Sequence, residues 1–270
     1  MTSTSSFSLP AELADIDPAG LVLLLDCDGV LAPIVDDPAA AAVPPAMVEL
    51  VRTAVERCAL VGVVTGRPVV RTRELVPVDG IWISGMHGMH IVSPEGVEDV
   101  DPVAQAAREH VAVAAQTAQT VGWAYEDKDL SVTIHFRQRG PLGQTVDPVM
   151  VKAQLQTVLN PLKVEIHDAK QVLEIKPRGV RTKADGVTRL LEAAGAGAAT
   201  AVYVGDDLTD LDGFRGLDAA KDAHPGLRTI KVAVGGDEAP PALIAAADVV
   251  IDGEAAVAPM LEALLRPAAR

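Results

Sequence analysis

Leu21-Val22-Leu23-Leu24-Leu25-Asp26-Cys27-Asp28-Gly29 opens with five aliphatic residues and stops on two carboxylates and a glycine. A continuous apolar run of this length reads as a strand buried on both faces, the kind found in parallel sheets covered by helices. The polar stop marks the strand's carboxyl end. In open parallel sheets, ligands bind just outside those ends.

The same pattern recurs outward from this stretch. Residues 44–58 predict a helix with Pro at its start and Met47, Leu50, Val51, Ala54 and Val55 at helical spacing. Residues 59–64 predict a strand that ends at Thr65-Gly66-Arg67. A short helix over 68–76 and a strand over 81–84 follow. Strand and helix in alternation predict a parallel sheet with right-handed crossovers. Beyond the middle of the chain the alternation resumes: a helix over 182–194, a strand over 201–204 ending in Gly205-Asp206-Asp207, strands over 229–234 and 248–251, and helices over 240–247 and 255–265. The stretch between has another rhythm. It has a helix over 103–121, strands over 123–127 and 131–137, a helix over 146–159, and strands over 163–167 and 172–176. The expected fold is therefore α/β, a Rossmann-like parallel-sheet core made from residues 1–90 and 177–270. Residues 91–176 form a smaller inserted α+β domain.

Composition fits this reading. Hydrophobic residues make up 49% of the 270 and aromatics only 3%, so the core must be aliphatic. The formal net charge of −14 disfavours nucleic acid and anionic membranes as partners. Two cysteines, Cys27 and Cys58, imply no disulfide framework and suit a reducing cytoplasm. No apolar run is long enough to span a bilayer and the N-terminus does not read as a signal peptide, so a cytoplasmic protein is expected. No heptad pattern is present, which leaves a monomer as the expected state.

Three polar clusters fall at strand ends, and Lys183 lies at the start of a helix. Asp26 and Asp28 could act as nucleophile and proton donor, although Asp and Gly are also ordinary turn residues. Asp206, Asp207, Asp210 and Asp212 are hard oxygen ligands of the kind Mg²⁺ takes, or acids favoured at a helix N-terminus. Thr65 could offer a hydroxyl and turn N–H groups to a phosphate oxygen, and Lys183 a positive charge.

In this order, Asp26-Cys27-Asp28-Gly29-Val30-Leu31, Thr65, Lys183 and Gly205-Asp206-Asp207 with Asp210 resemble the four motifs of the haloacid dehalogenase-like phosphatases. Over about residues 20–215 the chain resembles the trehalose-6-phosphate phosphatase family more narrowly. The stretches are 26–37, Thr65-Gly66-Arg67-Pro68, Gly85-Met86-His87-Gly88, Glu126-Asp127-Lys128 through His135-Phe136-Arg137, Glu174-Ile175-Lys176-Pro177 and 205–212. There are departures. Cys27 stands where the family has Phe or Tyr, Val30 where it has Thr, Thr65 where Ser is more usual, and Leu211 where it has Glu.

The resemblance implies a Mg²⁺-dependent sugar-phosphate phosphatase working through an aspartyl phosphate. Asp26 would be nucleophile, Asp28 acid and base, and Thr65 and Lys183 the phosphoryl-binding groups. The metal would lie on Asp26, the Asp28 backbone carbonyl and Asp206, with Asp207 and Asp210 in support. Substrate contacts would come from Gly29, Gly66, Arg67 and His87 in the core. From the insertion, read as a mobile cap hinged near 85–93 and 177–179, they would come from Glu126, Lys128, His135, Arg137, Glu174 and Lys176. Trehalose 6-phosphate is the expected substrate. Sucrose phosphate, mannosyl- or glucosyl-phosphoglycerate and glucosylglycerol phosphate are alternatives within the same chemistry. A catalytically silent sugar-phosphate binding module is the alternative outside it.

Overall fold

The structure, a computed structural model, describes residues 8–35, 40–136, 146–169, 171–237 and 239–266. It divides into two compact units, residues 1–99 with 181–270 and residues 100–180.

In the first unit, among the described residues, eight strands form one sheet in the order β12-β11-β10-β1-β2-β3-β4-β5. They are β1 (Leu21–Leu25), β2 (Leu60–Val64), β3 (Trp82–Gly85), β4 (His90–Val92), β5 (Glu98–Val100), β10 (Thr200–Gly205), β11 (Arg228–Val234) and β12 (Val249–Ile251). β12 through β3 run parallel, and β4 returns antiparallel to β3. β1 lies at the centre. From it the chain winds outward through β2 and β3 on one side and through β10, β11 and β12 on the other, so the topological switch point falls between β1 and β10.

Burial explains why β1 is uniformly apolar. Leu21, Leu23 and Leu25 join one core layer with Met47, Val51 and Ala54 of α1 (Pro45–Arg57) and Val257, Met260, Leu261 and Leu264 of α8 (Val257–Leu264). Val22 and Leu24 join the opposite layer with Val187 and Leu190 of α5 (Lys183–Ala194), Phe214 and Leu217 of α6 (Asp210–Ala223) and Leu243 of α7 (Pro241–Ala246). The short helix α2 (Val69–Leu75) follows β2 and buries Val69 and Leu75 in the first layer. Helices thus cover both faces, which leaves no polar face for the strand to show.

The second unit holds α3 (Pro102–Val121), α4 (Pro148–Val158) and an antiparallel sheet in the order β6-β7-β9-β8. Its strands are β6 (Tyr125–Asp127), β7 (Val132–His135), β8 (Val164–Ala169) and β9 (Val172–Pro177). Asp101 caps α3 by accepting from the Val103 and Ala104 N–H groups, and Gly122 at φ +83° ends it. Val132, Ile134, Leu173 and Ile175 pack under Val111, Ala114 and Ala118 of α3 and Val151 and Leu155 of α4.

The division differs from the expected boundaries at 91 and 176. Residues 90–92 pair with β3, so the first crossing between units lies at Asp99, and the return crossing lies at Val180. β4, β5 and α6 are elements the sequence reading did not include. Among the described residues no helix is long and apolar enough to cross a membrane.

Candidate active site

Side chains alternate along a strand. Asp26, one residue past β1, therefore continues the face of Val22 and Leu24, toward α5 and α6. Both helices begin there, and each presents its first residue. Lys183 Nζ donates to Asp26 Oδ2 at 3.0 Å and to Asp210 Oδ1 at 2.7 Å. All three groups are buried, with relative exposures of 6% for Asp26, 2% for Lys183 and 0% for Asp210. Burial alone would drive the Lys183 ammonium toward neutrality, but the charges of Asp26 and Asp210 outweigh it and hold the pKa above the ordinary lysine range. Asp26 is raised well above the carboxylate range by burial and by Asp210 and Asp206, against the pull of Lys183. For Asp210, burial is outweighed by the Lys183 charge and by hydrogen bonds, so its carboxyl is held low.

Asp210 is saturated with donors. Its Oδ1 also accepts from the Tyr203 hydroxyl at 2.7 Å, and its Oδ2 from the Asp206 and Asp207 backbone N–H groups at 2.9 and 3.0 Å. These bonds shape the loop after β10 and present Asp206 at the strand end. Asp206 is half-buried and pushed up to about 7, by burial and by the neighbouring Asp210 and Asp207 carboxylates. Gly29 lets it approach: a Cβ there would sit 2.1 Å from Asp206 Oδ2, and φ is +70°. Asp207 is exposed.

One oxygen each of Asp26, Asp206 and Asp210 lie within 4.8 Å of one another. Hard oxygen donors, a surplus of carboxylates and an Asp206 that resists ionising all fit a divalent cation such as Mg²⁺. Asp210 has its oxygens engaged by four donors, whereas Asp26, which accepts one donor on each oxygen (the Cys27 N–H on Oδ1 and Lys183 on Oδ2), and Asp206 keep lone pairs with which to hold it.

Arg67 grips Asp28 with two bonds, Nε to Oδ2 and Nη2 to Oδ1, each 2.7 Å. A planar guanidinium fixes the orientation of a carboxylate in this way. Thr65 is 1% exposed and its Oγ1 accepts from the Arg67 N–H at 3.2 Å, so the hydroxyl hydrogen remains for another acceptor. The turn N–H groups expected to face a ligand are partly committed, because the Thr65 N–H donates to the Ser84 carbonyl. His87, at φ +55°, lies over Gly66, where a Cβ would meet its Nε2 at 2.5 Å. Cys27 turns the other way, into the apolar core beside Val30. Burial, with Asp28 and Asp26 nearby, pushes its thiol up to about 12, so it does not compete as a nucleophile. Val30 likewise packs in the core, so a missing hydroxyl at that position affects packing before it affects a ligand.

The first unit thus brings together Asp26, Asp28, Gly29, Thr65, Gly66, Arg67, His87, Lys183, Asp206, Asp207 and Asp210. In the second unit, the register pairs Glu126 with Thr133, Thr133 with Glu174, and Glu174 with His167. His135 and Lys176 share that face by alternation, opposite the face under the helices. Glu126 and Lys128 form an ion pair of 3.5 Å. Arg137 lies outside the described residues. Tyr203, a polar tip inside an apolar strand, was not read from the sequence, whereas strand alternation places Thr133 on the outward face there and His167 reads as a surface or loop histidine; the register puts both on the polar face of the second sheet.

The profile of the trehalose-phosphatase family matches residues 24–245. A trehalose-phosphate phosphatase of Mycobacterium avium is 32% identical over 203 residues, covering 71% of this chain and 50% of its own. Trehalose-phosphate phosphatase B of Arabidopsis thaliana is 28% identical over 213 residues, covering 73% and 56%. An uncharacterized glycosyl hydrolase of Mycobacterium tuberculosis is 30% identical over 202 residues, which is 71% of this chain and 15% of that protein. The chain therefore spans about half the length of the two phosphatases and a small part of the hydrolase. Among solved structures, the C-terminal domain of Candida albicans trehalose-6-phosphate phosphatase superposes with a TM-score of 0.68 at 21% identity, covering 92% and 93% of the two chains. A haloacid dehalogenase-like hydrolase from Bacteroides thetaiotaomicron superposes at 0.61 and 18% identity, covering 90% and 97%. The chain's fold is that of the haloacid dehalogenase-like hydrolase from Bacteroides thetaiotaomicron, and the chain belongs to the trehalose-phosphatase family.

Proposed function

We propose that the chain is a Mg²⁺-dependent phosphatase that hydrolyses trehalose 6-phosphate through an aspartyl-phosphate intermediate. The observation that carries the reading is Asp26, a carboxylate at the switch point whose Oδ2 is 3.0 Å from a buried ammonium. Phosphoryl transfer needs an aligned nucleophile and neutralised charge more than bond-making help. Asp26 and Asp206 would hold Mg²⁺, which when bound offsets the charge of the phosphoryl oxygens and keeps Asp26 ionised at neutral pH.

A carboxylate oxygen of Asp26 forms its bond to phosphorus as the bond from phosphorus to the sugar oxygen breaks. Asp28, aimed by Arg67, gives its proton to the departing oxygen. Asp28 then takes a proton from water, whose oxygen attacks phosphorus and releases inorganic phosphate and free Asp26. Lys183 and the Thr65 hydroxyl bind phosphoryl oxygens throughout. We assign recognition of the sugar hydroxyls to the polar sheet face carrying Glu126, Lys128, His135, Glu174 and Lys176. The choice of trehalose 6-phosphate rests on the names of the relatives at 28–32% identity.

Phosphate release with Mg²⁺ from trehalose 6-phosphate, beside sucrose, glucosylglycerol and phosphoglycerate-linked sugar phosphates, tests both parts. Release from trehalose 6-phosphate that vanishes in Asp26→Asn supports both chemistry and substrate. Release from another sugar phosphate keeps the chemistry and overturns the substrate. No Asp26-dependent release from any of them leaves a sugar-phosphate binding module as the reading.

A further inference from the structure

Tyr203 sits in the middle of β10 with no exposure to solvent. A phenol in an aliphatic strand is costly unless its hydroxyl finds a partner, and here the partner is Asp210 Oδ1 at 2.7 Å. The ring is held on two sides. Phe214 meets it edge-on, with centroids 6.0 Å apart at 87°. Gly213 gives it room, since a Cβ there would lie 2.4 Å from Tyr203 Cζ. The hydroxyl position is therefore set by β10 and by the first turns of α6, not by the ligand site.

We propose that Tyr203 is a positioning residue that fixes Asp210, and through it both Lys183 and the cation-holding Asp206. The chain of contacts is continuous. Asp210 Oδ1 receives two donors, Tyr203 and Lys183, and with both in place the carboxylate plane is determined. The same plane aims Oδ2 at the Asp206 and Asp207 N–H groups. Without the hydroxyl, Lys183 is the remaining donor on Oδ1, and the buried carboxylate can turn toward it. Such a turn draws Lys183 away from Asp26 and releases the loop that presents Asp206. The consequence is a weaker divalent-cation site in a protein that is still folded. The effect on turnover rests on the phosphatase reading, whereas the effect on cation binding does not.

Tyr203→Phe removes the oxygen and keeps the ring. Titration of the metal-free protein with MgCl₂ by calorimetry should show Mg²⁺ affinity weakened about tenfold, as for loss of a hydrogen bond to a charged group. The melting temperature without metal should fall by a few degrees, as for loss of one buried hydrogen bond to a charged group, and kcat should fall while KM changes less than threefold. Leu261→Ala, which opens a cavity in the opposite core layer under α8 and leaves the Tyr203 ring and its neighbours in place, should lower the melting temperature and keep Mg²⁺ affinity near wild type. Unchanged Mg²⁺ affinity in Tyr203→Phe overturns the proposal. So does equal loss of Mg²⁺ affinity in Leu261→Ala and Tyr203→Phe, because the effect would then be general loosening. If the protein proves not to be a phosphatase, the calorimetric comparison still decides the role of Tyr203.

Discussion

A half-buried carboxylate pushed up to about 7, as at Asp206, holds its proton where an unfolded chain has already released it. The folded state then binds more protons than the unfolded one between the ordinary value of 3.8 and about 7. In that window stability must fall as pH rises in the metal-free protein. Mg²⁺ needs the ionised form, so its affinity should rise with pH through about 7 and level off above. Melting curves from pH 5 to 8 with EDTA, and again with MgCl₂, check both signs: the metal-free curve should fall with pH and the gap between the curves should widen. Lys183, at a helix start, reads as a surface lysine until the family resemblance gives it a role, whereas the strand-end positions of Asp26, Asp28 and Asp206 were legible in the sequence because each follows an apolar run. The Asp28–Arg67 pair was not, because its partners are 39 residues apart and only folding brings them within reach. Tyr203 was hidden for another reason: among aliphatic neighbours, an aromatic reads as core until its hydroxyl is seen to have a partner.

Gly88 joins two elements that carry the site. Its φ is +97°, and a Cβ would lie 2.1 Å from the Thr182 carbonyl oxygen, just before Lys183 opens α5. Gly88→Ala should combine backbone strain with displacement of the α5 N-terminus, for about 2–4 kcal/mol of lost stability. Because Lys183 moves with it, phosphate release should fall as well. Gly96 has φ +83° but nothing within 4 Å, so Gly96→Ala should show the strain alone, about 1 kcal/mol, with release unchanged. Thermal melts and initial rates of the two variants separate these outcomes. At this scale the parallel strands were legible, since each is an apolar run closed by polar residues. β4 and β5 were not, being three residues each and too short to show alternation. α6 escaped because Gly213, Gly216 and several Asp residues lower its helix propensity, and packing against β10 and α5 overrides that weakness.

With a net charge of −14, the chain as a whole repels a phosphate monoester, and on the proposed reading Lys183 would attract it once a bound cation has offset the carboxylates around it. Screening weakens long-range repulsion more than contact at a buried site. kcat/KM for a sugar phosphate should therefore rise, about two- to fivefold, as ionic strength goes from 0.01 to 0.15 M. Initial rates at fixed Mg²⁺ activity measure it, and a fall would show that attraction dominates at long range. The broad division into an interrupted sheet and an inserted α+β unit was legible from the change of rhythm along the chain. The crossing points were not, because the hairpin of β4 and β5 belongs to the sheet by pairing and to neither rhythm by pattern. The central place of β1 also bears on synthesis. One edge of that strand can pair with β2 soon after translation, but its other edge waits for Thr200–Gly205, about 175 residues later. At ribosomal speed the delay is roughly 10–35 s. Through that interval a nascent chain displays an all-aliphatic edge, while the contiguous residues 100–180 can already close around their own core. Chaperone demand on this protein should thus concentrate on β1, the strand that goes on to present Asp26.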